Sequence, residues 1–205
     1  MKNLLLVLLV LPLLFGCGNG IVNIPDANFK AYLVSDTAIN TNGDKEIQLS
    51  EASAFNGGIE CYNLNISNLK GIEAFTALTY LSIIRNELTS LDVSQNTALT
   101  ELRTGSNQLT SLDVSKNTAL TKLWCYDNQL TSLDVSKNNA LTELSTGSNE
   151  LRSLDISKNT ALTGLFCGGN QLTSLDVSKN NALTLLNCDG NKFDCYALKR
   201  KYGLQ

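Results

Sequence analysis

The sequence predicts an α/β-type solenoid, a stack of short coils sharing one apolar interior. The phrase LTSLDVSKNTALT, or a near copy, begins at Leu88, Leu109, Leu130, Leu151 and Leu172, so the chain repeats every 21 residues as far as Asn191. The leucines stay in register between copies. A unit of that length cannot bury its apolar side alone and must stack on its neighbours. With 205 residues and 43% apolar content there is enough for one core, drawn out along an axis.

In chain order the first element is a leader. Lys2 supplies a short positive region and Leu4 to Phe15 an apolar run too short to span a bilayer, so residues 1–16 read as a signal peptide. Leu14-Phe15-Gly16-Cys17 resembles the bacterial lipoprotein box, although Phe15 is larger than the usual residue there. The resemblance implies export, lipidation at Cys17 and anchorage in the cell envelope, at the outer membrane or cell surface. An ordinary signal peptide with a chance cysteine is the alternative. Residues 17–24 are expected as a tether, with Gly18-Asn19-Gly20 its flexible part.

Residues 25–58 are expected to form a helical N-terminal cap. A helix from Asp26 to Val34, with Pro25 near its start, precedes a twelve-residue stretch, Asn40 to Glu51, aligned with an EF-hand loop. Asn40, Asn42 and Asp44 fall at positions 1, 3 and 5, Glu46 supplies the carbonyl at 7, and Glu51 ends the loop before a second helix near Ser50. Asn40 stands where aspartate is usual, and Lys45 replaces the glycine of the sharp turn. The loop reads as a weak calcium site or as a metal-free cap over the first coil, and these two departures favour the cap.

The coils occupy residues 59–193. In Ala119 to Ala140, Leu120, Leu123 and Cys125 follow the L-x-x-L-x-L pattern of leucine-rich repeats, with cysteine for the last leucine. Period-two alternation turns Leu123 and Cys125 inward and Lys122, Trp124 and Tyr126 outward. Asn128 is placed to satisfy backbone groups where the coil turns. Leu130, Leu133 and Val135 return along the convex side with too little room for a full helix, so extended or 3₁₀ segments are expected. Backward from Leu88 the register survives with one inserted residue through Leu81 and Ile83 to Ile59 and Cys61, which makes seven coils. Residues 194–205 lose the pattern and are expected as a short helical cap ending at Gly203.

These residues, LxC…NQLTSLDVSKNTALT with NLNISNLKGIEAF ahead of them, resemble the internalin-type bacterial leucine-rich repeats with 21-residue coils and a cysteine ladder. The similarity covers Ile59 to Asn191. It implies a horseshoe with a parallel concave sheet, and a secreted or surface-attached binding module of which many members are adhesins. By position the ladder reads Cys61, Ile83, Thr104, Cys125, Thr146, Cys167 and Cys188, so cysteine holds four of seven rungs. The wall-sorting signal of many relatives is absent from the sequence.

Geometry discourages most disulfides. Cys125 and Cys167 lie two rungs apart, about 9.6 Å, beyond any bridge. Cys167 and Cys188 are adjacent, but parallel side chains separate their β-carbons too far. The ladder thiols read as small buried apolar groups, and Cys188 with Cys195 is the one pair left open.

Composition narrows function. There is no histidine, which removes histidine triads and histidine-containing zinc sites, and no nucleophile–base constellation is legible, so no enzyme is expected. Without Met1 to Gly16 the chain has 15 basic and 19 acidic residues, a net of −4 with no basic run, which argues against nucleic acid. The column Asp92, Asp113, Asp134, Asp155, Asp176 reads as solvated surface balanced by neighbouring lysines. What varies between copies is the outward face of the strands. Trp124 and Tyr126 share one strand, Arg103 lies a rung away and Phe166 two, with Tyr80 and Lys122 on the flank. Exposed aromatics beside arginine are hot-spot chemistry, so Tyr80, Arg103, Lys122, Trp124, Tyr126 and Phe166 are the expected site for a protein or carbohydrate ligand. The alternatives are that these aromatics merely cover the sheet, and that the protein is a structural spacer of the envelope. Membrane contact is expected only through the N-terminal lipid, and the chain is expected to be a monomer.

Overall fold

The computed structural model describes residues 20–204; the expected signal peptide, Cys17 and the first residues of the expected tether lie outside them. Seven three-residue strands stack in chain order into one parallel sheet. They are β1 (Gly58–Glu60), β2 (Tyr80–Ser82), β3 (Glu101–Arg103), β4 (Lys122–Trp124), β5 (Glu143–Ser145), β6 (Gly164–Phe166) and β7 (Leu185–Asn187). Register follows the repeat: Leu81 pairs with Leu102, Leu123 with Leu144, and Leu165 with Leu186. The seven ladder positions, Cys61 to Cys188, are buried, as expected for inward residues of short strands. The return side is turns and extended backbone, with one 3₁₀ turn at Ile72–Ala74.

Three side-chain ladders tie coil to coil, of which the sequence reading anticipated one. Asn107 donates to Ile83 O in the coil before and to Thr104 O in its own, while its Oδ1 accepts from Leu88 N. Asn128, Asn149 and Asn170 repeat this arrangement. A second column, Asn96, Asn117, Asn138, Asn159 and Asn180, sits in the convex turn and is buried. Asn138 Nδ2 donates to Val114 O at 3.0 Å and to Asn117 O at 2.8 Å, closing the preceding coil's turn. In the third, Thr121, Thr142 and Thr163 each donate a hydroxyl to the preceding rung's threonine carbonyl. The first ladder satisfies main-chain oxygens that a short-stranded coil leaves unpaired. The second and third add a donor to carbonyls that already accept a backbone N–H, as Val114 O does from Asn117 N and Thr100 O from Thr121 N.

The residue one place beyond the position of Tyr126 turns left-handed in all seven coils: Asn63, Arg85, Ser106, Asp127, Ser148, Gly169 and Gly190. Only the last two are glycine, the residue that adopts positive φ without a Cβ clash.

Both ends are capped. Helix α1 (Ala27–Ser35) starts on Asp26, whose carboxylate accepts from the Asn28 and Phe29 amides and from Ser67 N and Oγ in the first coil. Helix α2 (Leu49–Ala54) carries a capping box between Gln48 and Glu51. Residues 20–24, expected as the end of the tether, are part of this cap instead. Val22 and Ile24 are buried, Val22 N donates to Ile47 O, and Leu49 N donates to Gly20 O, because the apolar Ile-Val-x-Ile run has a core to cover. At the other end α3 (Cys195–Tyr202) closes on Gly203 in left-handed conformation. The Cys188–Cys195 disulfide pins it to the last rung, while Cys61, Cys125 and Cys167 are free and buried. Burial pushes each of those three thiols up to about 12, leaving them unreactive.

Candidate functional site

The concave face is built by strand alternation. Because Leu102, Leu123 and Leu165 fill the interior, the residues on either side of each must point out, and register then sorts them into columns. One column aligns Ser82, Arg103, Trp124, Ser145, Phe166 and Asn187; the next aligns Tyr80, Glu101, Lys122, Glu143, Gly164 and Leu185. Tyr80, Arg103, Lys122, Trp124, Tyr126 and Phe166 therefore share one face, all half-buried.

Three of them form a layered cluster. The Arg103 guanidinium lies 4.1 Å from the Trp124 ring centroid and 5.4 Å from that of Tyr80. It donates through Nε and Nη2 to Glu101 Oε1, two residues back on the same strand face. Glu101 is the functional neighbour the sequence reading passed over; its i−2 spacing from Arg103 was the signal. A guanidinium held by a carboxylate and two rings loses little further freedom when a partner arrives. The polar tip expected of Trp124 is not on offer, since its Nε1 is buried and has no hydrogen-bond partner among the described residues.

The other rings lie down on the sheet. Tyr126 covers Gly105 so closely that a β-carbon there would meet the ring at 2.5 Å, and Tyr80 covers Gly58 in the same way at 2.7 Å. Phe166 leans over Gly164, where a β-carbon would approach the ring to 3.3 Å. Gly58 and Gly105 are thus seats for the aromatic ring of the next coil, and Gly164 for that of Phe166 on its own strand. The outcome is a low platform of ring faces with Arg103 and Lys122 set into it.

On the convex side each aspartate has a local task beyond surface charge. Asp113, Asp134 and Asp155 accept from the serine amide two residues on, at 2.8–2.9 Å. The amide and hydroxyl of those serines hold the carboxyls below the ordinary aspartate value. These are turn-forming contacts, and no lysine salt bridge is made to them among the described residues.

The loop residues Asn40, Asn42, Asp44, Glu46 and Glu51 are brought together, but their oxygens are turned on the loop itself. Glu51 Oε1 accepts from Thr41 N at 2.8 Å, Thr41 Oγ at 3.0 Å and Asn42 N at 3.1 Å, and Oε2 accepts from Gln48 N at 3.0 Å. Asp44 accepts from Glu46 N, Asn42 Nδ2 and Gln48 Nε2, and Asn42 Oδ1 from Asp44 N. Glu46 pairs with Lys30 at 2.7 Å. Asn40 spends its Nδ2 on Val34 O and Asp44 O and leaves Oδ1 buried without a partner. A calcium shell needs six to eight converging oxygens. Here the side-chain oxygens of Asn42, Asp44, Glu46 and Glu51 are engaged within the cap, and Asn40 Oδ1 is without a partner among the described residues.

No family model matches the chain, and no curated protein matches it. Among solved structures it is similar to the functional domain of InlJ from Listeria monocytogenes, which includes a cysteine ladder: 31% identity over 85% of this chain, with a TM-score of 0.54. The chain spans about half of that domain, 49% of its length. Internalin C2 from the same organism aligns over 87% of this chain and 90% of its own at a TM-score of 0.65 and 15% identity, a likeness of fold. A leucine-rich repeat protein of Leptospira interrogans aligns at 25% identity over 65% of this chain and 42% of its own, with a TM-score of 0.51.

Proposed function

We propose that this leucine-rich repeat solenoid, similar in fold to the internalins, is a recognition module binding a protein or carbohydrate partner on its concave sheet. The observation that carries this reading is the Tyr80–Arg103–Trp124 cluster, continued along the same face by Tyr126 and Phe166. The variable positions of an otherwise uniform repeat gather ring faces, a rigid guanidinium and a lysine on one open surface, the composition of binding hot spots. Display outside the cell follows in this reading from Cys17, which as lipidation site would tether the module to the envelope. The loop 40–51 is read as a metal-free clasp, supported by the hydrogen bonds that already satisfy Glu51.

One observation favours the second reading, a spacer with no dedicated ligand: Arg103 and Glu101 close over Trp124, and Tyr126 lies flat, as side chains do when they only cover a sheet. A lysate pull-down and a glycan array with the wild-type protein and the Trp124→Ala/Phe166→Ala variant separate the two. Loss of a retained ligand in the double variant, with unchanged melting, is the expected result. Equal retention by both proteins would sink the concave-face reading, and a wild type that retains nothing on either support favours the spacer.

A further inference from the structure

The most exposed large apolar side chains of the described residues stand at the two ends of the solenoid. Ile21 (59% exposed) and Leu49 (46%) belong to the N-terminal cap, and Tyr196 (74%) and Tyr202 (37%) to α3, while Tyr62 (49%) and Leu185 (48%) are outward residues of the first and last coils, at the two limits of the concave face. No such residue lies in the coils of β2 to β6. This inverts what a solenoid asks of its caps, which keep a repeat array soluble by presenting a polar outer face.

Charge divides along the same line. Residues 20–60 contain six carboxylates and two lysines, a net of −4. Residues 192–205 contain four basic side chains and one acidic, a net of +3. At the basic end a half-open cavity of about 520 Å³ is lined by Asp189, Tyr196, Lys199, Arg200 and Leu204. Its two cations outnumber its one acid, and its apolar walls suit a mixed acidic and apolar surface.

We infer that the occupant of each end is a second copy of this chain, docked head to tail. The complementarity is internal to one molecule: each end exposes apolar side chains, and the two carry opposite charge. A two-fold arrangement would set like charges together, whereas a heterologous contact pairs them and can repeat from copy to copy. The contact leaves Arg103, Trp124, Tyr126 and Phe166 in the middle coils free, so a chain of copies would multiply the proposed recognition surface.

The test is sedimentation velocity on the full chain over a concentration series at low and high ionic strength. Wild type should gain mass with concentration at low salt and lose it at high salt. Arg200→Glu/Lys201→Glu spoils the basic end and Leu49→Lys the acidic end, all at exposed positions and checked by thermal melting. Each variant alone should stay monomeric, with affinity down about tenfold or more. An equimolar mixture should form a dimer and nothing larger, because one intact basic end then meets one intact acidic end. A wild type monomeric throughout, association undiminished in Arg200→Glu/Lys201→Glu (as the apolar leader alone would produce), or a mixture that stays monomeric would each overturn the inference.

Discussion

At the scale of single residues, the side chains that hold this protein together are polar and unremarked by hydrophobic pattern. Asn138 is fully buried and its amide nitrogen serves two carbonyls belonging to the preceding coil. Replacing it by alanine removes one of two donors from each of Val114 O and Asn117 O, which keep the Asn117 and Leu120 amides, at about 0.5–1.5 kcal/mol for each hydrogen bond lost. Urea unfolding should show Asn138→Ala losing at least as much stability as a core Leu→Val change, while Lys137→Ala next to it changes little; equal effects would mean the second asparagine ladder is ornamental. In the repeat phrase, Asn138 and Asn128 look alike, but one column was read for its role and the other was not. The distinction lies in depth: both face inward, and only the fold tells which carbonyls each can reach.

At the scale of elements, the N-terminal cap is a clasp organised by Glu51. Burial pushes its carboxyl up, but the bonds from Gln48, Asn42 and Thr41 together outweigh that and hold it below the ordinary glutamate value. A carboxyl with a depressed folded pKa contributes stability in full above its unfolded pKa, about 4.3, and loses it as pH falls toward the folded value. Asp26, also depressed against the effect of burial by its bonds to Phe29, Ser67 and Asn68, acts in the same direction. The melting temperature should therefore drop as pH falls below about 4.3, and Glu51→Gln should lower it at pH 7 while flattening that drop. The same melts with and without millimolar calcium should coincide, and a calcium-induced rise that Glu51→Gln abolishes would restore the metal reading. The cap's helices were legible from Pro25, Asp26 and the loop pattern. The direction in which the loop's oxygens turn was not, since an EF-hand-like spacing is compatible with ligating a cation or with cradling a carboxylate.

At the scale of the whole molecule, one period is one coil, so stability should scale with coil number. Deleting residues 130–150 joins Gln129 to Leu151 in the same phase of the repeat and leaves every ladder continuous. Circular dichroism and urea titration should find a cooperative fold whose m-value is lower by about one tenth, in proportion to the surface lost. Deleting half a period instead should abolish cooperative unfolding, because strand segments would then face return segments and the sheet and asparagine ladders would be cut. Survival of the half-period deletion with an unchanged transition would contradict the shared-register account of the core.

The sequence alone determined the coil, its length, its inward columns and the face on which copies differ, because a strict repeat makes neighbouring coils solve the same packing problem. It also marked Cys188 and Cys195 as the pair able to bridge and Gly203 as the end of the last helix. Tertiary structure decided what depends on reach between columns: Glu101 taking Arg103 rather than leaving it free, Tyr126 lying over Gly105, and Glu51 gathering the cap loop. Those are contacts between residues whose pairing no periodicity encodes. Stacking at rung spacing lays Tyr126 over Gly105. Glu101 meets Arg103 within one strand and Glu51 meets Thr41, Asn42 and Gln48 within one loop, where the choice of partner follows from how each side chain packs.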